Sequence, residues 1–171
     1  MKIFKYLFVI VLISSFMSCS EDDLLTEQEL IGTWLLKEAN LEGNATFTQG
    51  TDVTTADFTG EGYDLDLKIT INENPKDYIV EGDINVLVTY DFDGQTIELP
   101  IEEADFIDNG TWDITDDVLT VSNSTQVETA NLGQLTETSM SLEWTYIESV
   151  TTTTGSIIVH EVTGTYEFEK Q

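Results

Sequence analysis

Residues 84–101 read INVLVTYDFDGQTIELPI, and this stretch decides the fold. Ile84, Val86, Val88, Tyr90 and Phe92 fall on every second position, and Ile97, Leu99 and Ile101 resume the beat after Asp93-Gly94. A period of two puts one set of side chains on one face of a strand, dry on that side and wet on the other. Asp93-Gly94 between the two runs is a strong two-residue hairpin signal, because both positions accept a positive φ. Pro100 lacks a ladder donor, so it marks an edge strand or a bulge.

The same beat continues in both directions. Leu65, Leu67, Ile69 and Ile71 share one face of DLDLKITI, and Met140, Leu142, Trp144 and Tyr146 share one face of MSLEWTY. The continuous apolar runs of buried parallel strands are missing, so the sheet is antiparallel. Asp116-Asp117 separates TWDI from VLTV, Asn109-Gly110 joins ADFI to TWDI, and residues 72–76, NENPK, form a broader turn. Residues 149–156, SVTTTTGS, suit either an edge strand or a loose connection. Upstream, Thr26 and Glu29 stand as a capping box for one or two helical turns, which Gly32 ends. The reading is all-β: one antiparallel up-and-down barrel of roughly eight to ten strands behind a short helix, with a β-sandwich as the alternative.

The amino terminus reads as an address. Lys2 and Lys5 precede the apolar run of residues 6–13, YLFVIVLI, which is too short for the ~20 residues a spanning helix needs. The sole cysteine, Cys19, follows Phe16-Met17-Ser18, and this tetrad resembles the lipobox of bacterial lipoproteins, with phenylalanine where leucine is usual. The resemblance implies cleavage after residue 18, lipid on the Cys19 thiol and attachment to a membrane through that anchor. With Cys19 consumed, the mature chain has no thiol for a disulfide. Ser20, Glu21, Asp22 and Asp23 then resemble the export signal of Bacteroidota-type lipoproteins, which implies residence on the outer membrane, at the cell surface. The expected organisation is a signal peptide over 1–18, an acidic tether over 19–25 and one barrel domain over 26–171.

Charge narrows the partners. The chain carries 33 Asp plus Glu against six lysines and no arginine, a formal −27. Loss of residues 1–18 removes two lysines and leaves four against 33 acids, a formal −29. Such a field repels phosphate backbones and excludes nucleic acid as a partner. Hydrophobic residues at 40% and the regular alternation indicate a folded domain beneath an acidic surface, not a disordered acidic chain.

Three short motifs carry a second resemblance: LIGTWLL around Gly32-Thr33-Trp34, NGTWDITDDVLTV around Trp112, and the final GTYEFEK. Together they resemble the lipocalin-like lipoproteins over about residues 28–170. The resemblance implies that Gly32 bends the chain into the first strand and that Trp34 plugs the closed end. In that family an arginine from a late strand stacks on the tryptophan. This chain has none, and Lys170 lacks the planar fork, so the closed end is expected to be sealed differently.

Candidate chemistry is sparse. His160 is the only histidine, which excludes a histidine metal cluster, and no cysteine nucleophile survives lipidation. Its parity with Ile158 and Val162 points it inward, as a hydrogen-bonded core residue or as a polar anchor for a ligand. Paired acids such as Glu102-Glu103 and Asp116-Asp117 follow from sheer abundance and carry no specificity for glycoside chemistry. An EF-hand frame through DFDG places Pro100 where a bidentate glutamate belongs, so it fails. Neither a metal, a cofactor nor a catalytic residue is assigned, and no enzyme is expected. Tyr90, Trp112, Trp144 and Tyr146 share the inward parity with His160. They either fill the barrel or line a site for a small apolar or sugar ligand. The expected function is non-covalent ligand binding by a tethered barrel; the alternative is an interaction module of a surface uptake or adhesion complex.

Overall fold

Alternating side chains need a sheet with one dry face, and among the described residues eleven antiparallel strands supply it. The computed structural model describes residues 27–104, 106–153 and 155–171. Cys19, the tether residues Ser20 to Asp23 and the capping Thr26 lie outside the described residues, as does the whole signal segment. Among the described residues no helix is long and apolar enough to cross a membrane.

A one-turn helix, α1 (Glu27–Leu30), leads into β1 (Gly32–Gln49) and β2 (Asp52–Tyr63). Next come β3 (Lys68–Ile71), β4 (Asp77–Glu81), β5 (Ile84–Phe92) and β6 (Gln95–Ala104). The chain ends with β7 (Gly110–Thr115), β8 (Val118–Ser122), β9 (Val127–Leu135), β10 (Ser139–Thr151) and β11 (Ile157–Lys170). Eight of these close a barrel in the order β1-β3-β4-β7-β8-β9-β10-β11, because β11 pairs back onto β1 from Trp34↔Lys170 to Thr48↔Ile157. That closure settles barrel against sandwich. The remaining strands, β2, β5 and β6, lie outside the closed ring.

The split happens along β1. Its first residues, Gly32–Leu35, pair with β3, whereas Asn40–Gln49 pair with β2. The bulge between Leu36 and Glu38 separates the two regions. Below it β1 belongs to the barrel. Above it, β1 is the middle of a six-stranded sheet ordered β6-β5-β2-β1-β11-β10.

Turn chemistry follows the expected residues. Asp93 and Gly94 take φ of 54° and 84° between β5 and β6, and Asp116 and Asp117 take 49° and 62° between β7 and β8. Pro100 sits in β6, the edge strand, next to an irregularity in the β5–β6 register. Asn109-Gly110 joins the segments without a hairpin, since among the described residues β6 and β7 do not pair. Gly110 is already the first residue of β7, opposite Tyr78. The Asn109 side chain instead accepts a bond from the Val80 amide at 2.5 Å, which fixes the crossing segment to β4.

The barrel interior is filled. Trp34, Leu36, Ile69, Ile71, Tyr78, Leu119, Met140 and Leu142 are all at most 1% exposed. At the α1 end, the Trp34 Nε1 donates to the Leu30 carbonyl at 2.8 Å. The Lys170 ammonium lies 4.8 Å from the Trp34 ring centre and donates to the Glu29 carbonyl at 3.0 Å. The end is thus sealed without an arginine, by the one basic residue near the carboxyl terminus. A lysine takes the place of the arginine, and its compact ammonium both faces the ring and ties down the helix. Gly32 makes room for it: at φ 143°, a Cβ there would lie 2.6 Å from Lys170 Cε. At the other end Phe106 enters between Trp144, Tyr166 and Phe168, with ring centres 6.0, 5.0 and 6.3 Å away, and stoppers the barrel.

Candidate ligand-binding trough

Register places a single apolar face across the upper sheet. On β5 and β6, Val86, Val88 and Tyr90 stand opposite Ile101, Leu99 and Ile97. Phe58 of β2 stands opposite both Tyr90 and Gly43. On β11 and β10, His160 faces Ala45 on one side and Glu148 on the other. In the barrel this face would meet the far wall. Here it does not, and Ile97, Leu99 and Ile101 remain 47, 49 and 43% exposed.

A trough of about 690 Å³ results. Leu41, Val86, Ile101, Glu103 and Ala104 form one side, and Glu128, Trp144, Tyr146, Glu148, Val150 and His160 contribute to the other. Its size falls within the range of small-molecule sites. A second hollow of about 630 Å³ lies among β1, β2, β10 and β11, where Phe58, Tyr146, Ile147 and Val162 stand beside polar residues such as Glu42, Asn44, Asp57 and Glu161.

Polar groups share the lining: Glu103, Glu128, Thr129, Thr145, Glu148 and His160. The Tyr90 hydroxyl and His160 Nε2 are 3.0 Å apart. Phe58 stands edge-on to His160 at 5.9 Å and tilted against Tyr90 at 5.6 Å, which fixes both rings. His160 Nδ1 is buried and makes no hydrogen bond among the described residues. Burial raises the Tyr90 phenol above its ordinary range, and the Glu148 carboxylate raises it further. Trp144 and Tyr146 stack at 4.5 Å and 30° beside them.

Glu128 is the anomaly. Its Oε1 accepts from Gln126 at 2.9 Å, but its Oε2 is buried with no partner among the described residues. Burial raises its carboxyl above the usual range, and the Asp108 charge adds to this. Among the described residues no group of three or more His, Cys, Asp or Glu is placed to hold a metal ion.

Of the five residues expected to line a site, Trp144, Tyr146 and His160 line the trough, and Tyr90 is bonded to His160 on the same face. Trp112 is corrected. It is buried at the α1 end, where its Nε1 donates to the Asn72 carbonyl at 2.7 Å and Lys76 lies 4.6 Å from its ring. Inward parity told its face and not its height along the axis. Gly32 and Trp34 likewise belong to the seal.

Comparison with family models, with curated proteins and with solved structures finds no match for this chain.

The site therefore rests on its own geometry. Sequence reasoning passed over Glu128 and Glu148, yet a signal existed for each: Glu148 shares parity with Tyr146 and Val150, and Glu128 with Ala130 and Leu132. An acid at an inward position costs free energy where it is buried, as the Glu128 Oε2 is, whereas Glu148 stays exposed. Phe106 carried no such signal, because its segment has no period.

Proposed function

We propose that this protein is a lipid-anchored lipoprotein of the outer membrane, facing the cell exterior, that holds a small amphiphilic ligand non-covalently in the trough. The uncovered apolar face of β5 and β6 carries this reading. Three large aliphatic side chains on one strand face, each more than 40% exposed, form a patch that meets the trough at Ile101, and such patches mark binding sites. The filled barrel moves the ligand out of the interior and onto the trough. His160, held by the Tyr90 hydroxyl, supplies a polar anchor, while Trp144 and Tyr146 supply flat apolar surface. The reading is of binding without covalent chemistry.

A neutral reporter, N-phenylnaphthylamine, should bind and brighten, and Ile101→Asp should weaken it by at least about tenfold, since an exchanged aliphatic contact is worth roughly 1.5–3 kcal/mol. Unchanged unfolding curves for that variant assign the loss to the trough; undiminished dye binding would refute the site. For the anchor, Cys19→Ala should move the protein out of the membrane fraction, and normal lipid labelling of that variant would contradict the lipoprotein reading.

A second reading, an interaction module of a surface complex, rests on β6, which among the described residues pairs only with β5 and leaves its other edge open. An added strand from a partner protein fits such an edge. A membrane-anchored form that retains a protein partner but binds no dye would favour it.

A further inference from the structure

The trough contains three glutamates and no lysine, and its single basic side chain, His160, is bonded to Tyr90. Glu103, Glu128 and Glu148 line it. The four lysines among the described residues are all engaged elsewhere. Lys37 pairs with Glu169 at 3.1 Å and Lys68 with Glu81 at 2.6 Å. Lys76 pairs with Glu27 at 3.0 Å and Asp113 at 3.2 Å, and Lys170 is committed to Trp34 and the Glu29 carbonyl.

Nothing in the described chain therefore meets the buried Oε2 of Glu128 with a positive charge. Its field reaches the fully buried Tyr78 hydroxyl, which also lacks a hydrogen-bond partner among the described residues. Carboxylates taken out of water are costly unless paired. The stacked Trp144–Tyr146 pair adds two π systems to the same lining, and ring faces attract ammonium groups most strongly where water is thin.

Resting on the trough as the ligand site, we infer that it selects amphiphiles with a positively charged head, an ammonium or quaternary ammonium on an apolar chain, and rejects carboxylate-headed ones. The apolar chain lies along Val86, Ile101 and Val150. The charged head meets the trough glutamates and aromatic rings, supplying the counter-charge that the fold omits. The negative surface as a whole does not produce this preference at physiological salt, where exposed charges farther than ~8 Å are largely screened.

Three probes with one chain length test it on the full-length protein: dodecyltrimethylammonium, laurate and dodecyl maltoside, each below its micelle concentration, followed by calorimetry and tryptophan fluorescence. The cationic probe should bind at least about tenfold more tightly than laurate, with the maltoside between them. Glu103→Gln, Glu128→Gln and Glu148→Gln together should abolish that ratio. Glu61→Gln, Glu73→Gln and Glu137→Gln, the same charge change at exposed sites away from the trough, should preserve it. Glu128→Gln alone should shrink the ratio and serves should the triple variant not fold. Equal binding of laurate and the ammonium probe, or a ratio untouched by the trough variants, overturns the head-group inference and leaves the trough standing. Binding of none of the three overturns both.

Discussion

Trp34→Ala should destabilise the fold by roughly 3–5 kcal/mol, the range for removing a large buried aromatic side chain. The indole is 0% exposed and packs beneath Leu30, to whose carbonyl it donates. Truncation therefore leaves a cavity, an unpaired helix carbonyl and a Lys170 ammonium with no ring to face. Chemical unfolding should show a lower midpoint at unchanged slope. Lys170→Met keeps the aliphatic stem and removes the charge, so it should cost about 1–2 kcal/mol, one cation–π contact plus one charge-assisted bond. The double variant should cost less than the two singles together, because Lys170 loses its ring contact once Trp34 is gone. Full additivity would mean that the lysine and the tryptophan seal the barrel independently, contrary to the 4.8 Å contact between them.

The seal also marks how far sequence reading reaches. A glycine, a tryptophan two residues later and a basic residue at the far end of the chain sufficed to locate the closed end. The absence of arginine suggested a different solution, yet geometry gives the lysine both partners, because β11 returns antiparallel to the first residues of β1 and sets Lys170 opposite Trp34. Hairpins at Asp93-Gly94 and Asp116-Asp117 were legible because their backbone needs are local. Pro100 was legible for the same reason.

The trough was not legible, and the cause is physical. A period of two says that a strand has one dry face; it does not say what dries it. Ile97, Leu99 and Ile101 repeat as strictly as Ile69 and Ile71, yet the first set is about half exposed and the second is fully buried. Only the pairing of β1 with β3 at one end and β2 at the other separates the two cases. Trp112 failed for a related reason. Parity assigns a face, whereas the height of a residue along the barrel depends on registers between strands distant in sequence.

The acids follow a similar division. Most stand on the wet face or in turns, where repulsion is screened and solubility gains. Glu128 breaks that rule with a carboxylate oxygen buried in the trough lining, and all four described lysines are committed elsewhere. Places where a fold violates its own pattern are where function is sought.

The junction between barrel and trough supplies the other large effect. Gly43→Ala should cost about 3 kcal/mol, the upper part of the usual range for overpacking. Gly43 is paired on both sides, with Val162 of β11 and Phe58 of β2. A methyl group there would overlap the Glu161 backbone carbonyl and sit 2.9 Å from the tip of the Phe58 ring. The carbonyl belongs to the ladder that closes the barrel, so relief requires β1 and β11 to part. The ring packs against Tyr90 and His160, and His160 lines the trough. Stability and dye binding should therefore fall together in this variant. Gly50→Ala is the control, at the tip of the β1–β2 turn with φ 65° and nothing within 4 Å of the added carbon. It should cost only the left-handed backbone strain, about 1 kcal/mol, and leave binding intact. Equal losses for the two glycines would show that backbone conformation, and not the close approach of three strands, limits the junction.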